Sequence, residues 1–358
     1  MLDMSCDDDG MLHVKLSIRG LGPIPDISQF VGNKENEWDG CVFHVNQHVQ
    51  SADVWFVSED VNDDDTDCAV PPSRVVFLTA ETSWEPGFYA SGTAQMRFLD
   101  SFARVSTCHD ILHPGTEAAL PYLPWMINSN HGATMFAANA RDVRQLSGIT
   151  SIPKSRPLSV FCSTQTLTAN HRMRLRFVER MKEHFGDTLD WYGNGINPVA
   201  TKWEGIAPYR YTMVLENQST TNVITEKLYD AYLGLAFPLY WGAPNAGEFF
   251  DPSSFVPMNI RDLKGSIAKT EELLAGTLAE DRLPQLLESK ARVLGELNLF
   301  KRLSRLAREI VSETATDLPQ AVTIEPWSRG QGSNPLTPRE HLGHLITRAG
   351  RRIGGRPQ

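Results

Sequence analysis

The chain has 358 residues, 41% of them hydrophobic and 22% charged, with a formal net charge of −9. That length is enough for about two globular domains with cores of their own, and the hydrophobic share excludes a largely disordered chain. The negative balance argues against non-specific nucleic-acid binding, which needs a basic face to displace counterions.

At the start, Asp3, Asp7, Asp8 and Asp9 occupy positions where a secretory signal needs basic and then apolar residues. No stretch approaches 18 consecutive apolar residues, so the expected location is cytoplasmic. Residues 13–18 read as a strand ended by the Pro- and Gly-containing residues 21–25. Residues 52–58 and 74–79 read as two more strands. Their continuous apolar runs fit a parallel sheet buried on both faces. Residues 94–103 form a candidate helix, followed by 104–107 and a Pro-rich segment through Pro121 and Pro124. The polar stretch 139–157 is the expected domain boundary. Beyond it come a strand at 158–162, a basic helix at 170–185 with Met173, Phe177, Val178 and Met181 on one face, and a short strand at 190–192. Next is the clearest unit: strand 211–215, polar loop 216–223, helix 225–235 and strand 237–241, a βαβ pattern with short connections. A helical stretch spans 269–312 with a break at Pro284, and 313–358 reads as weakly ordered. Two strand–helix alternations joined by a linker predict an α/β fold of two Rossmann-like domains facing across a cleft, with ligands at the carboxyl ends of the strands.

Charge is unevenly spread. Residues 1–70 hold 15 acidic side chains against Lys15, Arg19 and Lys34, whereas 329–358 hold six Arg against Glu340. The basic end suits either an anionic surface or a solvated terminus, and a weak amphipathic pattern at 341–353 permits peripheral attachment to anionic lipid. Cys6, Cys41, Cys68, Cys108 and Cys162 are odd in number and contain no C-x-x-C pair. They read as reduced thiols rather than a disulfide framework or zinc knuckle.

The candidate chemistry lies in the loop after the 211–215 strand, which enters a helix at Thr225-Glu226-Lys227. Free amides at a helix start make a positive pocket for an anion. Lys227 would add a full charge there, and Glu226 suits hydrogen bonds from sugar hydroxyls. The competing reading is a solvated Glu–Lys pair. Arg172, Arg174 and Arg176 offer guanidinium forks for phosphate or simply a solvated basic face.

The segments Tyr211-Thr212-Met213-Val214-Leu215-Glu216-Asn217, Ile224-Thr225-Glu226-Lys227-Leu228, residues 237–244 (FPLYWGAP) and residues 250–256 (FDPSSFV) together resemble, in order, the signature of the α-1,3/1,4-fucosyltransferases, glycosyltransferase family 10, of bacterial type. Weaker likeness extends upstream to Cys41, Asp53 and Trp55, to residues 77–81 and to His113-Pro114. The resemblance implies a GT-B architecture: residues 1–150 as an acceptor-binding domain, 151–315 as a GDP-sugar donor domain, and 316–358 as an Arg/Gly/Pro-rich tail. It implies inverting transfer of L-fucose from GDP-fucose to a hydroxyl of a GlcNAc- or Glc-containing acceptor, an oligosaccharide or glycolipid such as lipopolysaccharide. Arg174 and Lys227 would hold the diphosphate, Glu226 the ribose, and Asn217, Thr225 and Ser163 would line the donor site. Glu81 falls where the family places its general base, with Glu85 as its rival. Departures from the signature occur at Val223, Asn222 and Ser163-Thr164. They keep open transfer of another GDP-linked sugar, and an inactive nucleotide- or glycan-binding protein is the alternative from another class. No cofactor is implied, and a divalent cation would be at most stimulatory. The pairs His44/His48, His109/His113 and His341/His344 lack a third ligand and an H-E-x-x-H pattern. Asp7-Asp8-Asp9 and Asp63-Asp64-Asp65 read as solvated acidic loops, so no metal site is expected.

Overall fold

The apolar runs become strands covered on both faces. In a computed structural model that describes residues 10–19, 24, 26–82, 88–129, 140–193 and 195–327, every residue of Val54–Ser58, Val75–Leu78 and Phe237–Trp241 is buried. The front lobe contains β1 (Leu12–Ile18), α1 (Ser28–Val31), β2 (Glu37–Trp38), β3 (Cys41–Val45), β4 (Val54–Ser58), β5 (Asp67–Val70), β6 (Val75–Leu78), α2 (Ala94–Leu99), β7 (Arg104–Thr107), β8 (Thr116–Ala118) and α3 (Val143–Gly148). The rear lobe contains β9 (Arg156–Phe161), α4 (Ala169–Phe185), β10 (Leu189–Tyr192), α5 (Lys202–Ile206), β11 (Tyr209–Leu215), α6 (Glu226–Leu233), β12 (Phe237–Trp241), β13 (Val256–Pro257), α7 (Leu263–Ala275), α8 (Leu278–Asp281) and α9 (Leu283–Leu294). The chain then runs through α10 (Leu299–Glu313) to β14 (Gln320–Thr323).

The front sheet has the order β2-β3-β1-β4-β6-β7-β8 and the rear sheet β10-β9-β11-β12-β13. All neighbours are parallel except β2 with β3. The register sets Phe77 beside Val105 and Met213 beside Leu239. Parallel strands need crossovers, and every crossover returns the chain so that the carboxyl ends of the strands share one edge. This is the expected α/β arrangement of two Rossmann-like lobes.

Several expectations change. The stretch 139–157, read as a plain linker, contains α3, whose Asp142 and Gln145 form a reciprocal capping box. Pro284 does not interrupt a helix but lies in the first turn of α9, where its missing N–H costs nothing. The expected break falls two residues earlier, at Arg282 between α8 and α9, and further breaks fall at Gly276 and Gly295. α10, grouped by sequence with the donor domain, packs on the front sheet. Phe300 stands edge-on to Phe43 with ring centroids 5.0 Å apart, and Arg302 donates to the Leu120 and Pro121 carbonyls. The start of the tail is also ordered, with β14 pairing antiparallel to β5. Asp65, expected in a solvated loop, forms a buried ion pair with Lys15. His44 lies on β3, its ring stacked on His13. Residues 1–9, Glu85, and 328–358 with the Arg-rich end lie outside the described residues. No described helix is long and apolar enough to cross a membrane.

Candidate functional site in the inter-lobe cleft

β11 ends at Leu215 and the next residue, Glu216, is buried with its side chain 0% exposed. A carboxylate in that position needs partners, and it has them. Its Oε1 accepts the Thr225 amide at 2.9 Å, and its Oε2 accepts the Thr225 hydroxyl at 2.6 Å and lies 3.4 Å from Lys227 Nζ. Thr225 is the N-cap of α6: its Oγ1 accepts from the Lys227 amide and, at 3.1 Å, from Lys227 Nζ. Lys227 also lies 3.3 Å from Glu226, whose other cation is Lys202 at 3.8 Å; Lys202 in turn donates to buried Asp230 at 2.9 Å.

From the other side α4 brings Arg174, which is buried and donates to Asn217 Oδ1 at 2.6 Å and to the Leu215 carbonyl at 3.1 Å. Its Nε is buried without a partner. His171, one turn earlier, completes a capping box with Thr168 and hydrogen-bonds Asn217. Ser163 is buried two residues beyond the end of β9, its carbonyl accepting the Cys162 thiol at 3.6 Å. Thus two hydrogen-bonded sets, Arg174 with Asn217 and Thr225, Glu226 and Lys227 around Glu216, lie at the carboxyl end of β11, and Ser163 lies just past the end of β9. Lys227 is not a solvated Glu–Lys pair: its side chain is only 23% exposed and spans two carboxylates.

Electrostatics follow burial and pairing. Burial opposes ionisation of Glu226, but Lys227 and Lys202 outweigh it and hold that carboxyl at about 2. Burial likewise works against the Lys227 charge, yet Glu226 and Glu216 raise its pKa. Burial pushes Glu216 up in spite of Lys227, and Asp230 up to about 6 in spite of Lys202. Burial and then Arg174 take His171 down to about 4, so it is neutral near pH 7 and its Nδ1 can accept the Thr168 amide.

Gly242, just after β12, explains how a buried glutamate fits here. A Cβ at that position would stand 2.2 Å from the Tyr240 hydroxyl and 2.5 Å from Glu216 Cγ. The Tyr240 hydroxyl ties the loop down, donating to the Val223 carbonyl at 3.3 Å and accepting the Ala243 amide at 2.9 Å. Val223 is wholly buried, and Asn222, at φ 64°, exchanges hydrogen bonds with Asn245 at 2.9 Å each.

On the front lobe, Glu81 lies three residues past the end of β6. Its carbonyl contacts His109 Nε2 at 2.8 Å, and its amide donates to Glu59 Oε1 at 2.7 Å. Below it, the buried Thr79 and Thr107 hydroxyls are 2.7 Å apart. Between the lobes, a cleft of about 330 Å³ is lined by Glu117 and Tyr122 of the front lobe, Asn222 and Phe249 of the rear lobe, and Arg305 and Glu309 of α10. Among the described residues no group of three His, Cys, Asp or Glu could hold a metal ion.

Sequence reasoning assigned no role to Glu216, although an acid directly following a buried strand is a legible signal. Lys202 and Asp230 carry no local signal; only the packing of α5 against α6 brings them together.

Fold and site together define an α/β protein of two Rossmann-like lobes, with charged side chains gathered at the strand ends of the rear lobe. A family profile described as Glycosyltransferase family 10 (fucosyltransferase) C-term matches residues 153–274, which bears out, for this lobe, the likeness carried by the four motifs. The chain is similar to Alpha-(1,3)-fucosyltransferase FucT of Helicobacter pylori, 26% identical over 208 residues, 54% of this chain and 42% of the relative. It therefore spans less than half the length of that relative. Among solved structures it is similar to an alpha1,3-fucosyltransferase (17% identity, 91% of this chain and 95% of that one, TM-score 0.49). It is also similar to an alpha1,3-fucosyltransferase with GDP-fucose (16%, 87% and 93%, TM-score 0.48).

Proposed function

We propose that the protein transfers L-fucose from GDP-fucose to a hydroxyl of a GlcNAc- or Glc-containing glycan, in α-1,3 or α-1,4 linkage, with inversion at the anomeric carbon. The observation that carries this reading is that two cations are placed at the end of β11, Arg174 on the Leu215 carbonyl and Lys227 beside Glu216, within the segment that matches the family. A buried guanidinium donor without a partner costs about 1–3 kcal/mol, and a diphosphate oxygen would relieve that cost at Arg174 Nε. Lys227, held by Glu216 and Glu226, is aimed rather than free, so it can meet the second phosphate without reorganising a long side chain. Glu226 takes the ribose hydroxyls, and Asn217, Thr225 and Ser163 complete the donor side.

The acceptor occupies the inter-lobe cleft, where carboxylates and Arg305 suit sugar hydroxyls and Tyr122 and Phe249 suit the apolar face of a ring. Glu81 takes the acceptor proton as the acceptor oxygen bonds to the anomeric carbon. The bond from that carbon to the phosphate oxygen breaks, and its electron pair leaves with GDP. Arg174, Lys227 and the α6 amides neutralise the departing diphosphate, so the proposal assigns no metal a required role. Val223 is wholly buried, and Asn222, which lines the cleft, is tied to Asn245.

The test is transfer from GDP-fucose to a panel of disaccharides with the linkage read by NMR, run beside GDP-mannose. Transfer from GDP-fucose alone supports the proposal. Equal or faster transfer from GDP-mannose, or GDP binding without transfer to any acceptor, overturns it.

A further inference from the structure

The connection after β4 contains one feature that the donor chemistry does not use. Glu59 follows a fully buried strand and is held at φ 69°, a left-handed conformation that a glutamate seldom adopts. Such strain persists only where the surroundings over-determine it, and here they do. The Glu59 amide donates to the Leu78 carbonyl at 3.2 Å, and its own carbonyl accepts Trp327 Nε1 at 3.1 Å. The turn sends its carboxylate towards the end of β6. There Oε1 accepts the Ala80 amide and the Glu81 amide at 2.7 Å each, and the Tyr89 hydroxyl hydrogen-bonds the same side chain. One carboxylate therefore gathers the backbone of Glu81, the residue before it, and a side chain eight positions on. Two amides aimed at one oxygen fix the plane of the Glu81 peptide, and with it the direction in which its side chain leaves the chain.

We propose that Glu59 is a positioning residue for transfer: it orients the Glu81 carboxylate towards the acceptor hydroxyl without itself touching substrate. This rests on the reading of Glu81 as the base. Because the role is that of an acceptor and not of a charge, glutamine should replace glutamate there, its amide oxygen accepting the same two N–H groups. Aspartate should not, since it withdraws the acceptor by one bond length, about 1.5 Å.

The test measures kcat and KM for GDP-fucose transfer, together with the thermal midpoint, for E59A, E59D, E59Q and E81Q. A misplacement near 1 Å costs on the order of 10²-fold. The expected pattern is a kcat loss of about that size in E59A, an intermediate loss in E59D, and E59Q within about threefold of the parent, with KM for GDP-fucose little changed throughout. If E59A does not fold, the order of E59Q above E59D decides the matter. E59Q as inactive as E59D or E59A would overturn the proposal by showing that the charge is needed, and activities that follow only the thermal midpoints would reduce Glu59 to a structural role. E81Q separates the two readings: near-normal turnover there removes the base assignment and this proposal with it, whereas an inactive E81Q beside a fully active E59A removes this proposal alone.

Discussion

The proposed donor wall in the rear lobe and the proposed base wall in the front lobe are built differently. On the rear wall, Lys202, Lys227, Glu216, Glu226 and Asp230 interlock through side chains, with most of their charges out of water, and Arg174 is tied separately to Asn217. On the front wall, the Glu81 backbone is held by the Glu59 carboxylate and the His109 ring. A site for an invariant pyrophosphate can be fixed by buried ion pairs, whose geometry is unforgiving. A wall that meets a variable acceptor is better fixed by the backbone, leaving neighbouring side chains to differ. The comparison predicts that rear-wall substitutions will appear in donor binding and stability, and front-wall substitutions in turnover.

The largest effect expected is E81Q, which should lower kcat on the order of 10²–10⁴-fold while GDP binding, measured by calorimetry, stays unchanged. A parallel loss of GDP affinity would blur the division between the walls. Next is K202M. It leaves Asp230, 1% exposed, without its cation and should cost about 3–5 kcal/mol in denaturant unfolding, with D230N partly restoring stability in the double variant. Stability should also depend on His171. Below pH 6.5 the unfolded chain takes up a proton that the folded imidazole refuses until about pH 4. The stabilisation is therefore complete above 6.5 and lost by about 4, a change of about 3 kcal/mol at most. Unfolding midpoints across that range should flatten in H171Q, where glutamine keeps the capping box.

G242A comes after these. Its Cβ would displace Glu216 and should cost about 1–3 kcal/mol of stability, with GDP affinity falling and kcat at saturating donor nearly kept. The smallest is T79V, which removes one buried hydroxyl contact beneath Glu81 and should cost about 1 kcal/mol, read from the thermal midpoint. Thr107 keeps the His109 amide as a partner, so no orphan group is left.

Much of the framework was legible because burial on both faces writes continuous apolar runs into the sequence. The strand 237–241 coincides with β12, and 74–79 brackets β6. Shorter elements were missed for physical reasons. β2, β5, β13 and β14 run for four residues or fewer and take their stability from a partner strand rather than from a pattern of their own. Of the rear-wall residues, Glu226 and Lys227 stood out because they follow Thr225 directly at a helix start. Glu59 did not, being 22 residues from the amide it binds.

The sequence alone determined the two parallel sheets, the polar loop leading into α6 and the charges on that loop, since each depends on residues near one another along the chain. Only the tertiary structure decided that α10 covers the front lobe, that β14 returns to β5, that Lys202 and Asp230 support Glu226, and that Glu59 reaches Glu81. An amphipathic helix or an isolated charge specifies that it must be covered or paired. Which partner does so is settled by the packing of elements distant in sequence, where the desolvation of each buried charge has to be offset by its neighbours.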